Sequence, residues 1–235
     1  MHAKLKKKIF KQKTKKFFLN NSKNKSIRCA DTFLFRFLGN FFKEYKNKKI
    51  LDIGYGNCEN INEFIRRGAE CFGISLIDNT TLLEKNKKIF KNNFLHYDFN
   101  QFKKFRFKKK FDLIICLDTI YYVADLDNFF KEIKKCLKKN GLFVFQYIES
   151  QEIINYDLKN YKNIKKLTKI KKIKSTSYLN YKKNPIRFLD YEKNFHQYVK
   201  DNNFKFKFFL SNDNQYIRNN KKSFIHKNIY IVISN

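Results

Sequence analysis

Apolar positions along the chain alternate between two patterns. Short apolar runs, which read as buried strands, open the stretch Lys49–Cys58 (KILDIGYGNC) and recur at Glu70–Ser75, Phe94–Phe99, Phe111–Leu117 and Leu142–Ile148. The run FDLIICL at Phe111–Leu117 is unbroken, as in a parallel sheet covered on both faces. Between the runs, apolar residues return at helical spacing. Leu34, Phe37, Leu38, Phe41 and Tyr45 share one face of a segment that Asp31 can N-cap, and Ile61, Phe64 and Ile65 share one face of Glu59–Arg67. Thr81 and Glu84 have capping-box spacing ahead of Leu82, Leu83, Ile89 and Phe90; Asp125 or Asp127 can cap a helix bearing Phe130, Ile133 and Leu137. A helix followed by strand and helix in alternation predicts a doubly wound α/β sheet.

The carboxyl-terminal part breaks this rhythm. Ile164, Leu167, Ile170 and Ile173 recur every third residue among lysines, which reads as a basic amphipathic helix or as a solvated excursion. Pro185 interrupts any helix there. Tyr191–Asn202 reads as a helix, and Phe204–Ser211 and Asn228–Ser234 as strands with Lys and Asn between them. Two strands with no intervening helix predict an antiparallel pair closing the sheet edge. The expected organisation is a flexible basic tail at 1–28 and a single domain at 29–235, with a lid or insertion at 149–190.

Composition changes the picture in three ways. At 235 residues the chain is most simply one domain with a substantial core. Its formal charge, 52 − 21 = +31, ordinarily suggests a nucleic acid or an anionic membrane surface. Abundant Lys, Asn, Ile, Phe and Tyr, however, also fit a genome rich in A and T, so much of that charge reads as drift. The tail to Arg28 holds ten Lys, one Arg and no acid, and is a candidate arm for RNA or acidic lipid. Cys29, Cys58, Cys71, Cys116 and Cys136 form no CxxC pair, and the sequence has neither a membrane-length apolar stretch nor a hydrophobic signal core. A reduced, cytoplasmic setting is expected.

Glycine is scarce, and five of the six glycines, Gly54, Gly56, Gly68, Gly73 and Gly141, fall where strand and helix units need turns, helix stops or close approach. Strand, Gly-Tyr-Gly and helix amino terminus together make a site for a polar or charged ligand at the carboxyl edge of a parallel sheet. A dinucleotide fingerprint would place its third glycine at Glu59, whose charge disfavours a pyrophosphate.

The arrangement resembles the class I S-adenosylmethionine-dependent methyltransferases, whose first motif is an acid followed by GxGxG. Asp52-Ile-Gly54-Tyr-Gly56-Asn-Cys58 matches it, with Cys58 where a third glycine is usual. The likeness continues through GISLID (Gly73–Asp78), HYDF (His96–Phe99), FDLIICLDTIYYV (Phe111–Val123) and LKKNGLFVF (Leu137–Phe145), covering residues 30–148. It implies a Rossmann-like methyltransferase fold, with a mostly parallel seven-stranded sheet and an antiparallel last strand. The implied cofactor is S-adenosyl-L-methionine, with no metal. Asp52, Gly54, Gly56 and Cys58 would line its methionine side, and Ser75 and Leu76 would stand where an acid usually grips the ribose. Asp98, beside Phe99, would meet the adenine, and Asp118 would lie near the amino end or the substrate. Each Asp also reads as a cap or a solvated loop residue.

Ser75 lacks the bidentate, charge-assisted grip of a carboxylate, and Asp78 can substitute for it only if the loop curls back. Asp118, Tyr121 and Tyr122 are the candidates for wall or base at the acceptor. Leu117-Asp-Thr-Ile120 stands where methyltransferases acting on planar nitrogens carry an NPPY-like tetrapeptide, which argues against a DNA amino-methyltransferase. A looser likeness, through Thr32–Asn60 and Asn184–Leu189, is to bacterial small-molecule methyltransferases, some linked with surface-sugar synthesis. The expected function is methyl transfer to oxygen or nitrogen of a small molecule or sugar. The alternatives are an RNA methyltransferase using the basic tail and a non-catalytic adapter that kept the fold; oligomeric state is left open.

Overall fold

The computed structural model describes residues 30–83, 91–98, 109–117, 119, 120, 123, 126–148, 176–181, 184–189, 205–218 and 221–234. Its centre is β1 (Lys49–Ile53), which pairs in parallel with β2 (Glu70–Ser75) on one side and β4 (Phe111–Cys116) on the other. β3 (Phe94–His96) adds to β2 and β5 (Leu137–Ile148) to β4, both in parallel. The order β3-β2-β1-β4-β5 reverses direction between β1 and β4, and the crevice beyond the carboxyl ends of those two strands is where such sheets bind ligands. Beyond β5 the sheet order continues through β9 (Lys221–Ser234) and β8 (Lys205–Arg218), with β9 antiparallel to both neighbours. A separate hairpin joins β6 (Thr176–Tyr181) to β7 (Asn184–Leu189), with Pro185 opposite Asn180.

The parallel strands are apolar along their length because both faces are covered. On one face Ile50, Cys71, Leu113, Ile115 and Val144 share a core with α1 (Thr32–Leu38) and α2 (Glu59–Arg66), which contribute Leu34, Phe35, Leu38, Ile61 and Phe64. On the other, Phe143 and Phe145 meet Phe129 and Phe130 of α3 (Leu126–Cys136) at ring separations of 5.7–6.0 Å. The amino-terminal ends of β1, β4 and β5 are fastened by Asp112. Its carboxylate accepts from the Lys49 N–H and the Lys138 ammonium, each at 2.8 Å. Burial alone would raise that carboxyl, but these donors outweigh it and hold it below its ordinary value.

Several boundaries differ from the sequence reading. Asp31 does N-cap α1, accepting from the Leu34 N–H at 3.0 Å, but the helix stops at Leu38 rather than running on to Tyr45. The Asn40 side chain donates to the Phe37 carbonyl and closes the helix end, and the chain continues in turns that still bury Tyr45. Gly68 is a left-handed stop after α2, with φ of 85°. Gly141 is not the matching stop for α3: Asn140 takes the left-handed conformation, with φ of 64°, and Leu137 already belongs to β5. Lys138–Gly141 bulge out of the β4–β5 ladder, and Gly141 is required by close approach, since a Cβ would lie 2.8 Å from the Phe111 carbonyl oxygen. β3 is shorter than Phe94–Phe99, and Asp127 lies within α3 rather than before it. β8 and β9 extend through the stretch read as a linker, pairing as far as Arg218 with Lys221. The helix expected to open at Thr81 does not start there: Thr80–Leu82 form a single 3-10 turn and Leu83 is extended, with φ of -71° and ψ of 129°. The rest of that stretch, the basic amphipathic segment around Ile164–Ile173, the expected helix at Tyr191–Asn202 and the basic tail lie outside the described residues.

Candidate functional site

The glycine loop leaves the end of β1 under tight local constraints. The Gly54 N–H donates to the Ile74 carbonyl at 2.7 Å and its φ is 84°. A Cβ at Gly54 would stand 2.1 Å from Thr119 Oγ1, so only glycine lets the turn after β4 lock onto the turn after β1. Thr119 is held there by donating to the Leu117 carbonyl at 2.8 Å. Gly56 differs: φ is 50°, the residue is exposed, and a Cβ there would have its nearest neighbours 4.0 Å away. Its backbone therefore faces open space that a ligand can approach. Cys58 is the third left-handed residue, with φ of 68° at the N-cap of α2, a conformation costing a side-chain-bearing residue about 1 kcal/mol. Its Sγ donates to the Asn79 carbonyl at 3.4 Å. Burial, with Asp52, Glu59 and Asp78 nearby, pushes the thiol up to about 12, so it stays neutral and is no nucleophile.

Asp52 is only 4 % exposed, one residue before the end of β1, in register with Gly73 and Ile115. Burial, and then the Glu59 carboxylate, push its carboxyl up to about 8. A buried acid of this kind is poised to be ionised by a cation placed beside it.

Ser75 closes β2, buried, and its Oγ accepts from the Ile77 N–H at 3.2 Å. Leu76 is half-buried. Asp78 Oδ1 accepts from the Thr80 N–H and hydroxyl at 3.0 and 2.6 Å and lies 3.4 Å from His96 Nε2. The Tyr55 ring crosses β2 over Gly73, where a Cβ would meet it at 2.5 Å, and its hydroxyl reaches His96 Nδ1 at 3.1 Å. Asp98 is half-buried, two residues beyond β3.

The carboxyl edge thus brings Asp52, Gly54, Gly56, Cys58, Ser75, Leu76 and Asp98 to one side of the sheet. Phe99, Asp118, Tyr121 and Tyr122 lie outside the described residues. Sequence reasoning missed Thr119 and Asn79, which shape the loop. Gly54 hinted at the first; nothing in the pattern pointed to the second. Among the described residues no cluster suits a metal ion, and no helix is long and apolar enough to cross a membrane.

An open glycine backbone near a buried carboxylate fits the ammonium of S-adenosylmethionine's amino-acid end better than a phosphate. Comparisons with known proteins agree. A sequence profile described as a methyltransferase domain matches residues 26–206. The chain is 35% identical, over 121 residues, to the ubiquinone biosynthesis O-methyltransferase of Pelagibacter ubique, an alignment covering 51% of this chain and 47% of the relative, so it spans about half the relative's length. In fold, it is similar to the magnesium protoporphyrin IX methyltransferase of Synechocystis PCC 6803, solved with bound S-adenosylhomocysteine (TM-score 0.52, 11% identity, 87% of this chain and 81% of that one). It is likewise similar to the 1,6-didemethyltoxoflavin-N1-methyltransferase of Burkholderia thailandensis (TM-score 0.52, 12% identity, 86% and 75%). Since the profile runs through the glycine loop and every parallel strand, the chain belongs to the methyltransferase domain family, as a class I S-adenosylmethionine-dependent methyltransferase.

Proposed function

We propose that this enzyme methylates a hydroxyl oxygen of a small-molecule acceptor. The observation that carries this reading is the 35% identity to a relative named as a ubiquinone biosynthesis O-methyltransferase. When bound, S-adenosylmethionine supplies an electrophilic methyl group on a positive sulfonium. The remaining work is positioning, with loss of the acceptor proton where the accepting oxygen carries one.

In this proposal Asp52 supplies negative charge to the ammonium of the cofactor's amino-acid end, and the Gly54–Gly56 backbone gives that end room. Ser75 and Leu76 flank the ribose, and Asp98 with Phe99 the adenine. Asp118, Tyr121 and Tyr122 are the residues this reading assigns to the acceptor, as wall or proton acceptor. The lid or insertion expected at 149–190 is the stretch this reading assigns to acceptor selection, and β8 and β9 complete a seven-stranded sheet whose last strand is antiparallel.

The test is transfer of a tritiated methyl group from S-adenosylmethionine to a panel containing an alkylated catechol, a sugar nucleotide, a primary amine and a short RNA. Label in the catechol, stable to conditions that cleave esters, is the expected result. Label confined to the amine or the RNA would overturn the oxygen reading, and RNA labelling that depends on residues 1–28 would restore the basic arm to the account.

A further inference from the structure

The left-handed Cys58 poses a mechanical question, because a side chain resists the backbone conformation that the glycine loop requires there. The answer lies across the crevice, in the loop after β2. Asn79 is buried, at 8 % exposure, and its side-chain amide donates to the Gly56 carbonyl at 2.9 Å and to Asn57 Oδ1 at 3.1 Å. Its own carbonyl accepts from Cys58 Sγ at 3.4 Å and from the Leu82 N–H at 2.9 Å. Both partners of the amide are acceptors, which fixes its orientation, since a flipped amide would set oxygen against oxygen.

The loop carrying Asn79 is itself anchored. Asp78 holds Thr80 through two hydrogen bonds, and the Asn62 side chain of α2 donates to the Leu82 carbonyl at 2.9 Å. A closed circuit therefore runs from the glycine loop to the β2 loop to α2 and back. Asn79 contacts three consecutive residues of the glycine loop, Gly56 to Cys58, while Gly56 keeps its open face.

We propose that Asn79 is a positioning residue for the cofactor, clasping Gly56–Cys58 in the conformation that presents the Gly56 backbone to S-adenosylmethionine. The clasp does the work that a glycine at position 58 would do by having no side chain. The inference rests on the cofactor reading, not on the choice of acceptor.

The test is calorimetric titration of the full chain with S-adenosylmethionine and S-adenosylhomocysteine, alongside thermal unfolding. Asn79→Ala should weaken binding of both ligands tenfold or more, about 1.4 kcal/mol. Asn79→Asp, which loses both donated hydrogen bonds, should weaken them at least as much. In a Cys58→Gly background the same Asn79→Ala change should cost twofold or less, because glycine holds the left-handed conformation unaided. A merely structural role for Asn79 would lower the unfolding midpoint equally in both backgrounds without this difference in affinity. Binding by Asn79→Ala within twofold of the unsubstituted chain, or an equal loss in both backgrounds, would overturn the proposal. If Asn79→Ala alone does not fold, the doubly substituted chain decides. Near-normal affinity supports the clasp, and failure to fold or to bind overturns it. Absence of binding by the unsubstituted chain would overturn the cofactor reading and the clasp with it, and is distinguishable because no substitution is involved.

Discussion

Tyr45 places its ring in the core beside Phe35, Phe42 and Phe64, with the Arg67 guanidinium 5.7 Å from its centre, yet its hydroxyl finds no hydrogen-bond partner among the described residues. A buried hydroxyl without a partner costs about 1 kcal/mol or more, so Tyr45→Phe should stabilise the protein by that order, read as a higher urea midpoint with unchanged slope. A lower midpoint would mean that the hydroxyl is satisfied. Asp52 carries the larger electrostatic cost. Its folded value, about 8, lies above the ordinary 3.8, so the native state binds this proton more tightly than the unfolded chain. Stability contributed by the protonated form is present below 3.8 and is lost as pH rises through about 8. Asp52→Asn should therefore match the unsubstituted chain near pH 4 and exceed it by roughly 1–3 kcal/mol at pH 8, while binding S-adenosylmethionine poorly. Parallel stability curves across that range would show that Asp52 ionises freely.

At the scale of elements, the strand runs were legible because burial on both faces leaves little choice but apolar residues, and β1, β2 and β4 fall where the pattern placed them. Helix ends were less so. Asn40, a single side chain reaching back to the Phe37 carbonyl, closes α1 early, and the residue that takes the left-handed conformation in the bulge of β5 is Asn140 rather than its glycine neighbour. The first motif, with Asp52, Gly54 and Gly56, was readable because positive φ and close approach leave a glycine signature. The clasp from Asn79 was not, because an ordinary loop asparagine acquires its role only through contacts some twenty residues away. Gly73 lies between these cases. It sits mid-strand, where glycine weakens a sheet, and the reason becomes visible only when Tyr55 and Phe94 are seen to cross it. Gly73→Ala would put a Cβ within 2.5 Å of Tyr55 and 2.6 Å of Phe94, and should cost about 2–3 kcal/mol in urea unfolding. A cost below about 1 kcal/mol would mean that the rings move aside freely.

Charge has meaning only at the scale of the whole molecule. Several of the acids that the structure describes are engaged in ion pairs: Glu63 pairs with Arg66 and Arg67, Glu70 with Lys49 and Lys109, Glu132 with Lys135, and Asp112 with Lys138. Pairs this exposed contribute little individually. Against a formal +31 they leave a large excess of lysine whose mutual repulsion opposes the compact state. Salt screens that repulsion, since the Debye length falls from roughly 14 Å at about 0.05 M to under about 5 Å at 0.5 M. The unfolding midpoint should therefore rise by a few degrees across that range of potassium chloride. A fall would mean that the attractive pairs outweigh the repulsion. The same experiment separates two readings of the charge. If it is compositional drift, added salt stabilises the fold and leaves methyl transfer to a neutral acceptor unchanged; if it serves an anionic acceptor such as RNA, salt that stabilises the fold should steeply weaken the acceptor's binding.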